Sequence, residues 1–361
     1  MRPLEGIKVV TFEHAIAAPF CTRQLADLGA RVIKVERPGV GDFARGYDER
    51  VSGLASHFVW TNRSKESITL DVKQPAALDV VHKLLADADV FVQNLAPGAT
   101  QRLGLDYDAL RARYPRLIVC DISGYGLDGP FRDKKAYDLL IQSESGFLSI
   151  TGSDGEPAKA GCSIADIAAG MYAYSNILAA LIERGRTGRG RHIDVSMLES
   201  MVEWMSYPLY YAIDGQPPPR QAGASHATIF PYGPFKAGDG HTVMLGLQNE
   251  REWKSFCETV LRMPELAADE RFGSNSRRVA NRDELASVIV RAFSTLTAAD
   301  VIDRLEQAGI ANARMNDMHG VWTHEQLAAR HRWTRVDTPA GEIPALLPPG
   351  IAPSDEPRMD P

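Results

Sequence analysis

The sequence predicts an α/β protein built on a parallel sheet, followed by a smaller second domain. Short apolar runs alternate with segments of helical period up to Ser123, which is the pattern of a sheet covered by helices. A stretch rich in proline and glycine at 211–225 separates this part from a hairpin-like segment and further helices. A chain of 361 residues with 44% hydrophobic content is long enough for two domains and a substantial core.

The first part of the chain reads as alternating strands and helices. Gly29 is suited to end the first helix, and Pro75 is suited to begin the second. Repeated β-α-β units of this kind predict a Rossmann-like sheet. The first turn, FEHAIAAP, lacks the glycines that admit a pyrophosphate, so a dinucleotide cofactor is not supported. In order, the predicted elements are strand 7–12, helix 18–30, strand 31–36, strand 67–72, helix 75–88, strand 89–95, a short helix after Gly104 and strand 116–123.

The later part of the chain contains one long apolar helix and one clear hairpin. The helix at 161–181 shows apolar residues at helical spacing, which predicts one broad buried face. The hairpin, YGPFKAGDGHTVMLGL, is predicted to turn at 238–240. The apolar stripe of the helix consists of Ile164, Ile167, Met171, Tyr174, Leu178 and Leu181.

Composition and charge exclude several classes of protein. A formal net charge of −6 disfavours a nucleic-acid binder, and the basic turn at 183–192 is better explained as a helix end than as an RNA-binding segment. Four scattered cysteines indicate neither a disulfide framework nor a zinc site, and no metal site is expected. No signal peptide and no membrane span are expected, so the predicted location is the cytoplasm.

Asp166 is the acid that the pattern singles out, since it lies at the start of the apolar helix. The spacing Ser163-x-x-Asp166 alone favours a capping box, in which the acid closes the first helical turn. The alternative is a carboxylate that apolar surroundings and free backbone amides tune as a nucleophile or base.

An ordered set of segments across nearly the whole chain resembles the family III CoA-transferases. This family includes formyl-CoA transferase, carnitine CoA-transferases and alpha-methylacyl-CoA racemase. In its transferases, the aspartate that matches Asp166 is the covalent nucleophile. The matching segments are LEGIKVV, LADLGARVIKVERPGVGDFARG, VQNLAPGATQRLGL, ISGYGLDGP, GCSIADIAAGMYAYSNILAAL, IERGRTGRGRHIDVSMLES and GIANARMND.

The resemblance implies a set of residues that bind coenzyme A. Arginine and lysine suit the phosphates of CoA, because they form charge-assisted hydrogen bonds with phosphate oxygens. No permanently bound cofactor is implied, since the CoA thioester is itself a substrate. The implied CoA-binding residues are Arg37, Lys73, Asn94, Leu95, Arg102, Lys135 and Tyr137.

Two positions distinguish the branches of the family. The racemase branch uses a His-Asp pair and a glutamate to move the α-proton of the acyl-CoA, whereas this chain has Tyr137-Asp138 and Asn249 there. The resemblance therefore implies a transferase, with Asp138 as an electrostatic assistant to Asp166. A racemase and a non-enzymatic CoA-binding protein are the alternatives.

The implied reaction moves CoA from an acyl-CoA donor, succinyl-CoA, to a short dicarboxylic acid of the itaconate, mesaconate, glutarate or malate type. It passes through an aspartyl anhydride and an aspartyl-CoA thioester. The predicted partners are this acyl-CoA, the acid and a second copy of the chain. The candidate residues for the second carboxylate are His14, Arg45, Ser225, His226 and Asn249.

The resemblance also implies an interlocked homodimer. The implied divisions are a large Rossmann-like domain at 1–205, a linker at 206–225, a small α+β domain at 226–315 and a linker at 316–361 that returns to the large domain. The chain departs from the family in two places: Ile16 replaces a glutamine of formyl-CoA transferase, and only AGASHA around Gly223 matches the family's glycine-rich loop. A further C-terminal segment beyond Met359-Asp360-Pro361 is also implied.

Overall fold

The structure is a computed structural model that describes residues 2–355 and 357–360. The chain forms two compact units. Unit 1 comprises the described residues of Met1–Phe147, Ala160–Ser206 and Glu325–Pro361, and unit 2 comprises Leu148–Lys159 and Tyr207–His324.

These boundaries differ from the predicted domains in two segments that belong to unit 2. Residues 148–159 were predicted in the large domain, and residues 207–225 were predicted as part of a linker at 206–225. Hydrogen bonds tie the two segments together: Gln221 Nε2 donates to Leu148 O at 2.9 Å, and Gly223 N donates to Gly152 O at 2.7 Å. Both segments therefore pack in the same unit.

The strands and helices are numbered here in chain order. The strands are β1 Lys8–Phe12, β2 Arg31–Glu36, β3 Lys65–Thr69, β4 Val90–Gln93, β5 Ile118–Ser123, β6 Gly152–Ser153, β7 Glu156–Pro157, β8 His192–Ser196, β9 Tyr232–Lys236, β10 Thr242–Gly246, β11 Ala311–Arg314, β12 Trp333–Val336 and β13 Ile343–Leu346. The helices are α1 Ala17–Asp27, α2 Ser56–Asn62, α3 Pro75–Ala86, α4 Ala99–Leu103, α5 Tyr107–Arg113, α6 Asp138–Glu144, α7 Phe147–Ile150, α8 Ile164–Thr187, α9 Met197–Tyr211, α10 Glu250–Ser255, α11 Asn275–Ala280, α12 Arg282–Phe293, α13 Ala298–Gln307, α14 Met318–Trp322 and α15 Glu325–Ala329.

Unit 1 is built on a six-stranded parallel sheet, which confirms the predicted α/β class. The strand order is β3-β2-β1-β4-β5-β8, and every neighbouring pair is parallel. The order reverses direction at β1 and β4, because the chain runs outward from β1 to β3 and then returns to the other side. Ligands of open parallel sheets bind beyond the carboxyl ends of the strands at such a point.

The sheet has a separate apolar core on each face, because successive side chains of a strand point to opposite sides. On β4, Val90 and Val92 belong to the core that includes α1 and α8, whereas Phe91 belongs to the core that includes α3 and α5. All four residues of β4 are buried, as expected for a central parallel strand.

The predicted buried face of α8 was wrong in detail. Apart from Ile177, the fully buried side chains are small ones, and the large apolar residues of the predicted stripe are only partly buried or, like Met171, exposed. The reason is the close approach of α1: a methyl group on Gly170 would lie 2.7 Å from Ala17 O. The buried positions include Ala165, Ala168, Ala169, Ala173, Ile177 and Ala180.

Judged by length and composition alone, α8 is long and apolar enough to cross a membrane. The expectation that no apolar segment reaches that length is therefore corrected. In the structure its alanine face packs in the main core of unit 1, together with residues of α1, β5 and β8. A buried core helix has the same length and composition as a membrane span, so these two properties do not distinguish them. The packing of α8 is that of a core helix.

Unit 2 contains a three-stranded antiparallel sheet of order β11-β10-β9. The predicted hairpin is confirmed, since β9 and β10 pair with Tyr232 opposite Gly246. Its turn places Gly240 at a φ of 84°, a conformation that favours glycine. Apolar side chains of α10, α12 and α13 complete one core with this sheet, including Trp253, Ile289, Phe293 and Leu305.

Candidate active site

The carboxyl ends of β1, β2 and β4 meet at one edge of the parallel sheet. Three predicted site residues follow these strands directly: His14 after β1, Arg37 after β2 and Asn94 after β4. Because α8 leads into the parallel strand β8, its N-terminus lies at this same edge. We call this region of unit 1 the carboxyl-edge site.

Asp166 lies in the first turn of α8 and is only partly exposed. Among the described residues, no hydrogen bond or ion pair reaches its carboxyl group. Burial, together with the negative charge of Asp138, raises the pKa of Asp166 to about 7. A carboxylate that is poorly solvated and unpaired is more reactive than one in water, which suits a nucleophile or a base.

The capping box predicted for Ser163 and Asp166 is not formed. The Ser163 side chain accepts no hydrogen bond from the first turn of α8. Instead Asp138, at the start of α6, accepts a hydrogen bond from Ala165 N at 2.8 Å, and Gln142 Nε2 donates to its other oxygen at 2.7 Å. Asp138 therefore caps α8 from another helix, and Asp166 is left without this task.

The turn between β1 and α1 is fixed by side chains on both sides. Asn94 accepts a hydrogen bond from His14 N at 2.9 Å and donates to His14 O at 3.0 Å. Ala15 has a φ of 60°, and its N–H donates to Asp42 Oδ1 at 3.1 Å. The amide of Asn94, which was predicted to contact CoA, thus holds the backbone of the neighbouring turn.

The imidazole of His14 borders the carboxyl-edge site. It stacks on Phe43 with ring centroids 5.3 Å apart. Burial lowers the pKa of His14, and the positive charge of Arg37 lowers it further, against the opposing effect of Asp42. His14 is therefore neutral at pH 7 and can accept or donate one hydrogen bond through each ring nitrogen.

A buried network of charges supports this turn from beneath. Lys65 Nζ donates to Glu13 Oε1 at 2.6 Å, and Lys34 Nζ donates to Asp42 Oδ2 at 2.7 Å. Thr22 Oγ1 donates to the second oxygen of Glu13 at 2.6 Å. Burial lowers the pKa of Lys65 to about 8, although Glu13 opposes the change. The two cations and two anions balance, which makes burial of all four tolerable.

Arg45, a candidate for binding a substrate carboxylate, already has an anionic partner. Its Nε and Nη2 donate to Glu36 at 3.0 and 2.8 Å, and its guanidinium lies 3.8 Å from the ring centroid of Phe58. Burial opposes the ionisation of Glu36, yet hydrogen bonds from Arg45 and Ser67 lower the pKa of this carboxyl to about 2. In the part of the chain that the structure describes, the Nη1 side of Arg45 has no hydrogen-bond partner and remains for a ligand.

The other predicted CoA-binding residues of unit 1 are accessible. Arg37, Lys73, Arg102 and Lys135 are exposed. Among the described residues they form no ion pair, and Arg102 Nη1 donates only to Pro97 O, at 3.5 Å. These four cations are therefore available to an anionic ligand. Of the two uncharged candidates, Tyr137 is 68% exposed, and Leu95 packs at the margin of the α3 core.

The remaining candidates lie in unit 2, where each has a local structural role. His226 Nδ1 accepts hydrogen bonds from Thr228 N and Ile229 N. Burial lowers the pKa of His226, and the positive charge of Arg282 lowers it further. Asn249 caps α10 by accepting from Glu252 N at 3.0 Å. Ser225 N donates to Ala222 O in a tight turn.

Sequence reasoning missed Tyr47 and the charge network. Burial raises the pKa of Tyr47, as do the charges of Asp42 and Asp166, so its phenol lies within electrostatic range of the candidate nucleophile. Tyr47 is half exposed and packs against Phe43. A tyrosine in the segment GDFARGYD carries no local signal of this contact, because α8 is more than a hundred residues away in the chain.

Among residues 2–355 and 357–360, no cluster of three His, Cys, Asp or Glu side chains has the arrangement of a metal site. The four cysteines are free thiols, three buried and Cys162 exposed.

The open parallel sheet has an unpaired carboxylate and several free cations at its carboxyl edge. This arrangement defines an α/β protein suited to covalent chemistry on a phosphate-bearing ligand. The model of CoA-transferase family III matches residues 4–356. The chain therefore belongs to CoA-transferase family III, as its motifs predicted, and is a CoA-transferase enzyme.

Curated relatives and a solved structure resemble the chain over most of its length. The succinyl-CoA:glutarate CoA-transferase of Mus musculus is 36% identical over 329 residues, which cover 91% of this chain and 75% of the mouse protein. The succinate–glutarate CoA-transferase of Agrobacterium fabrum is 36% identical over 361 residues, covering 97% and 89%. A CaiB/BaiF family protein from Brucella suis has a TM-score of 0.84 at 35% identity and covers 98% of this chain and 93% of its own.

Proposed function

We propose that this enzyme transfers CoA from succinyl-CoA to a short dicarboxylic acid, with Asp166 as the covalent nucleophile. The observation that carries the proposal is the environment of Asp166, which is partly buried, unpaired and has a pKa raised to about 7. The interactions of this carboxylate are unfavourable to its charge. Its free energy therefore falls more than that of a solvated carboxylate when it forms a neutral covalent bond.

The proposed reaction begins with attack of an Asp166 oxygen on the thioester carbonyl of the donor. The C–S bond breaks, and CoA leaves as a thiolate, giving an aspartyl-acyl anhydride. The thiolate then attacks the aspartyl carbonyl, and the donor acid leaves with one oxygen that came from Asp166. The acceptor carboxylate reverses these steps, restores the aspartate and becomes the new acyl-CoA.

The developing oxyanion of each step needs a hydrogen-bond donor. In the first turn of α8, the amides of Ile164, Ala165 and Ile167 already donate to Cys162 O, Asp138 and Ser163 O, respectively. We therefore assign a donor role in unit 1 to the phenol of Tyr47, which is half exposed and packs against Phe43, the ring that stacks on His14.

The free cations of the carboxyl-edge site are proposed to hold CoA. Arg37 directly follows β2, and Arg102 lies on α4, which follows β4. Lys73 and Lys135 lie on the loops that follow β3 and β5, and all four side chains are exposed. Guanidinium and ammonium groups at these positions suit the adenosine phosphates. Asn94 and Leu95 would then contact the ligand through the backbone and the apolar side chain, because the Asn94 amide is already engaged.

The proposed acceptors are short dicarboxylic acids, and this proposal is supported by the two relatives that are named for glutarate. Product analysis tests it. The enzyme is incubated with succinyl-CoA and, separately, with glutarate, mesaconate, itaconate and malate, and the CoA products are identified by mass spectrometry. New acyl-CoA from the parent but not from Asp166→Ala supports the proposal and names the acceptor. Undiminished product from Asp166→Ala would overturn the role of Asp166.

Two alternative functions predict different results. A racemase exchanges the α-hydrogen of a 2-methylacyl-CoA for deuterium without any acceptor acid, which we do not expect, because Tyr137 and Asn249 replace the groups that move the proton. A non-enzymatic CoA-binding protein binds CoA but forms no product with any donor and acceptor.

A further inference from the structure

Unit 2 contains a cavity of about 650 Å³ that the proposed reaction does not use. One side is lined by Tyr211 and by the run Pro217–Arg220. The other side is lined by the end of α11 and the start of α12, including Val279, Arg282 and Asp283. The lining is thus mixed: apolar side chains lie beside two arginines, one aspartate, Gln216 and Thr228.

Within residues 2–355 and 357–360, Arg282 is a buried cation without an anionic partner. The residue is only 8% exposed, and its Nη2 donates to His226 O at 2.8 Å and to Ala227 O at 3.1 Å. Its Nε is buried and has no hydrogen-bond acceptor among the described residues. A buried N–H of a charged group that lacks an acceptor is costly, so the positive charge of this guanidinium is poorly compensated beside the cavity.

Arg220 adds a second positive charge to the same cavity. Its side chain is exposed and, among the described residues, forms neither a hydrogen bond nor an ion pair. Burial lowers the pKa of Arg282, and the charge of Arg220 lowers it further, so the two guanidinium groups repel each other. Both stay protonated, because arginine does not lose its proton in proteins.

Asp283 offsets only part of this charge. It is exposed and forms no ion pair with either arginine, so the charged groups of the lining sum to one net positive charge. A single carboxylate would neutralise that charge, whereas a phosphate dianion would exceed it. The prolines, Val279 and Tyr211 suit the carbon chain that a carboxylic acid brings with it.

We propose that this cavity binds an organic carboxylate between Arg220 and Arg282. The two guanidinium groups take the carboxylate oxygens, and the apolar lining takes the alkyl chain. This site is additional to the carboxyl-edge site and does not depend on Asp166 or on CoA.

The test is site-resolved arginine labelling of the full chain in the absence of CoA. Phenylglyoxal modifies accessible guanidinium groups, and peptide mass spectrometry gives the labelling rate of each arginine. Labelling is compared with and without sodium butyrate, at constant ionic strength with sodium chloride as the balancing salt. Arg291, an exposed arginine on α12 outside the cavity, is the internal control.

Butyrate is expected to slow the labelling of Arg220 by about fivefold or more at saturation, and to leave Arg291 unchanged. In Asp283→Asn, the half-protecting butyrate concentration should fall by about threefold or more, because a repulsive charge is removed. Line broadening of butyrate in proton NMR should be weaker in Arg220→Gln than in the parent or in Arg291→Gln.

Three results would overturn the proposal. Equal protection of Arg220 and Arg291 would indicate a general salt effect, and protection by phosphate but not by butyrate would exclude a carboxylate site. An Arg220 that is unreactive even without acid would show that something else occupies the cavity, such as a second copy of the chain. None of these readouts involves turnover, so the result is independent of the proposed reaction.

Discussion

The Asp166 carboxyl is held in a position where its charge is unfavourable. A raised pKa means that the folded protein binds the proton of this group more tightly than the unfolded chain does, whose reference value is 3.8. Stability therefore falls as pH rises from about 4 to about 7 and does not change further with this group above pH 7. Such a cost is typical of a residue retained for chemistry.

Asp166→Asn should therefore stabilise the protein at pH 8, by about 1 to 3 kcal/mol, since the side chain keeps its shape and loses its charge. The difference should disappear near pH 4, where the parent carboxyl is protonated in the folded state. Urea unfolding at both pH values measures this. A parent that is more stable than the variant at pH 8 would mean that Asp166 has a favourable partner.

Asp138→Asn should shift the pH dependence of turnover. The nucleophile must be ionised, so the rate is expected to rise as pH passes the pKa of Asp166. Removing the negative charge of Asp138 should move this rise to lower pH, by about half a unit to one unit. An asparagine can still accept the hydrogen bond from Ala165 N, so the cap of α8 is retained.

Glu144→Gln is the matched control for that shift, because Glu144 is an exposed acid on the same helix that pairs with Lys134. Its profile should coincide with that of the parent. If both variants shift alike, the effect is one of general charge and does not come from Asp138.

Residue-level prediction from sequence rested on signals that are local or carried by motifs. Asp166 was recognised from its helix and its family context, but its raised pKa depends on Asp138, which lies 28 positions earlier. The capping box failed for the same reason, since a distant acid took the cap. Arg45 was predicted to bind a substrate carboxylate, and its ion pair with Glu36 at the end of β2 was not predicted, because no spacing rule connects the two residues.

At the level of elements, the position of Asp166 depends on the packing of α8 against α1. Alanines and Gly170 allow the two helices to approach closely, and α1 in turn follows the β1–α1 turn held by Asn94 and Asp42. Hydrophobic period predicted the order of the first five strands of the parallel sheet and of helices α1, α3 and α5, but not the short helices α2, α4 and α6. The alanine face was not predicted either, because large apolar residues dominate such a pattern even when small ones make the closest contact.

Gly170→Ala should destabilise the protein by about 1 to 3 kcal/mol, because the added methyl would meet Ala17 O and the ring of Phe20. Gly185→Ala is the matched control on the same helix, where an added methyl meets nothing within 4 Å. It should be neutral or stabilising by up to about 1 kcal/mol. Thermal unfolding of both variants distinguishes a packing effect from helix propensity. Equal effects would contradict the close contact.

The charge network beneath the β1–α1 turn makes a second prediction at this level. Lys65→Met should cost about 2 to 4 kcal/mol, because it leaves Glu13 buried with less compensation. The double variant Glu13→Gln/Lys65→Met should lose less than the sum of the single variants, with a coupling of about 1 to 3 kcal/mol. Additive losses in urea unfolding would show that the two groups do not interact.

At the level of the whole molecule, the fold class and the family were predictable, whereas the division into units was not. The segments 148–159 and 207–225 are far apart in the chain and were assigned separately, yet backbone hydrogen bonds place both in unit 2. Composition marks such a segment as a linker but carries no information about what it pairs with.

The family resemblance leads us to expect an interlocked homodimer. Mass photometry at nanomolar concentration should show a particle of twice the mass of one chain. Because interlocked chains cannot separate without unfolding, a mixture of tagged and untagged enzyme should form no mixed dimers over hours in native buffer. Mixed dimers should appear only after joint unfolding and refolding. A monomer, or exchange within minutes, would exclude interlocking.

The measurement that tests the central claim most directly is oxygen transfer into Asp166. The enzyme turns over succinyl-CoA with an acceptor acid labelled with ¹⁸O in its carboxyl groups. The protein is then digested, and the mass of the peptide containing Asp166 is measured by mass spectrometry. The proposed steps release one aspartyl oxygen with succinate and return one from the acceptor, so this peptide should gain about 2 Da per labelled oxygen. An unlabelled Asp166 peptide during active turnover, or label at Asp138 instead, would contradict the account.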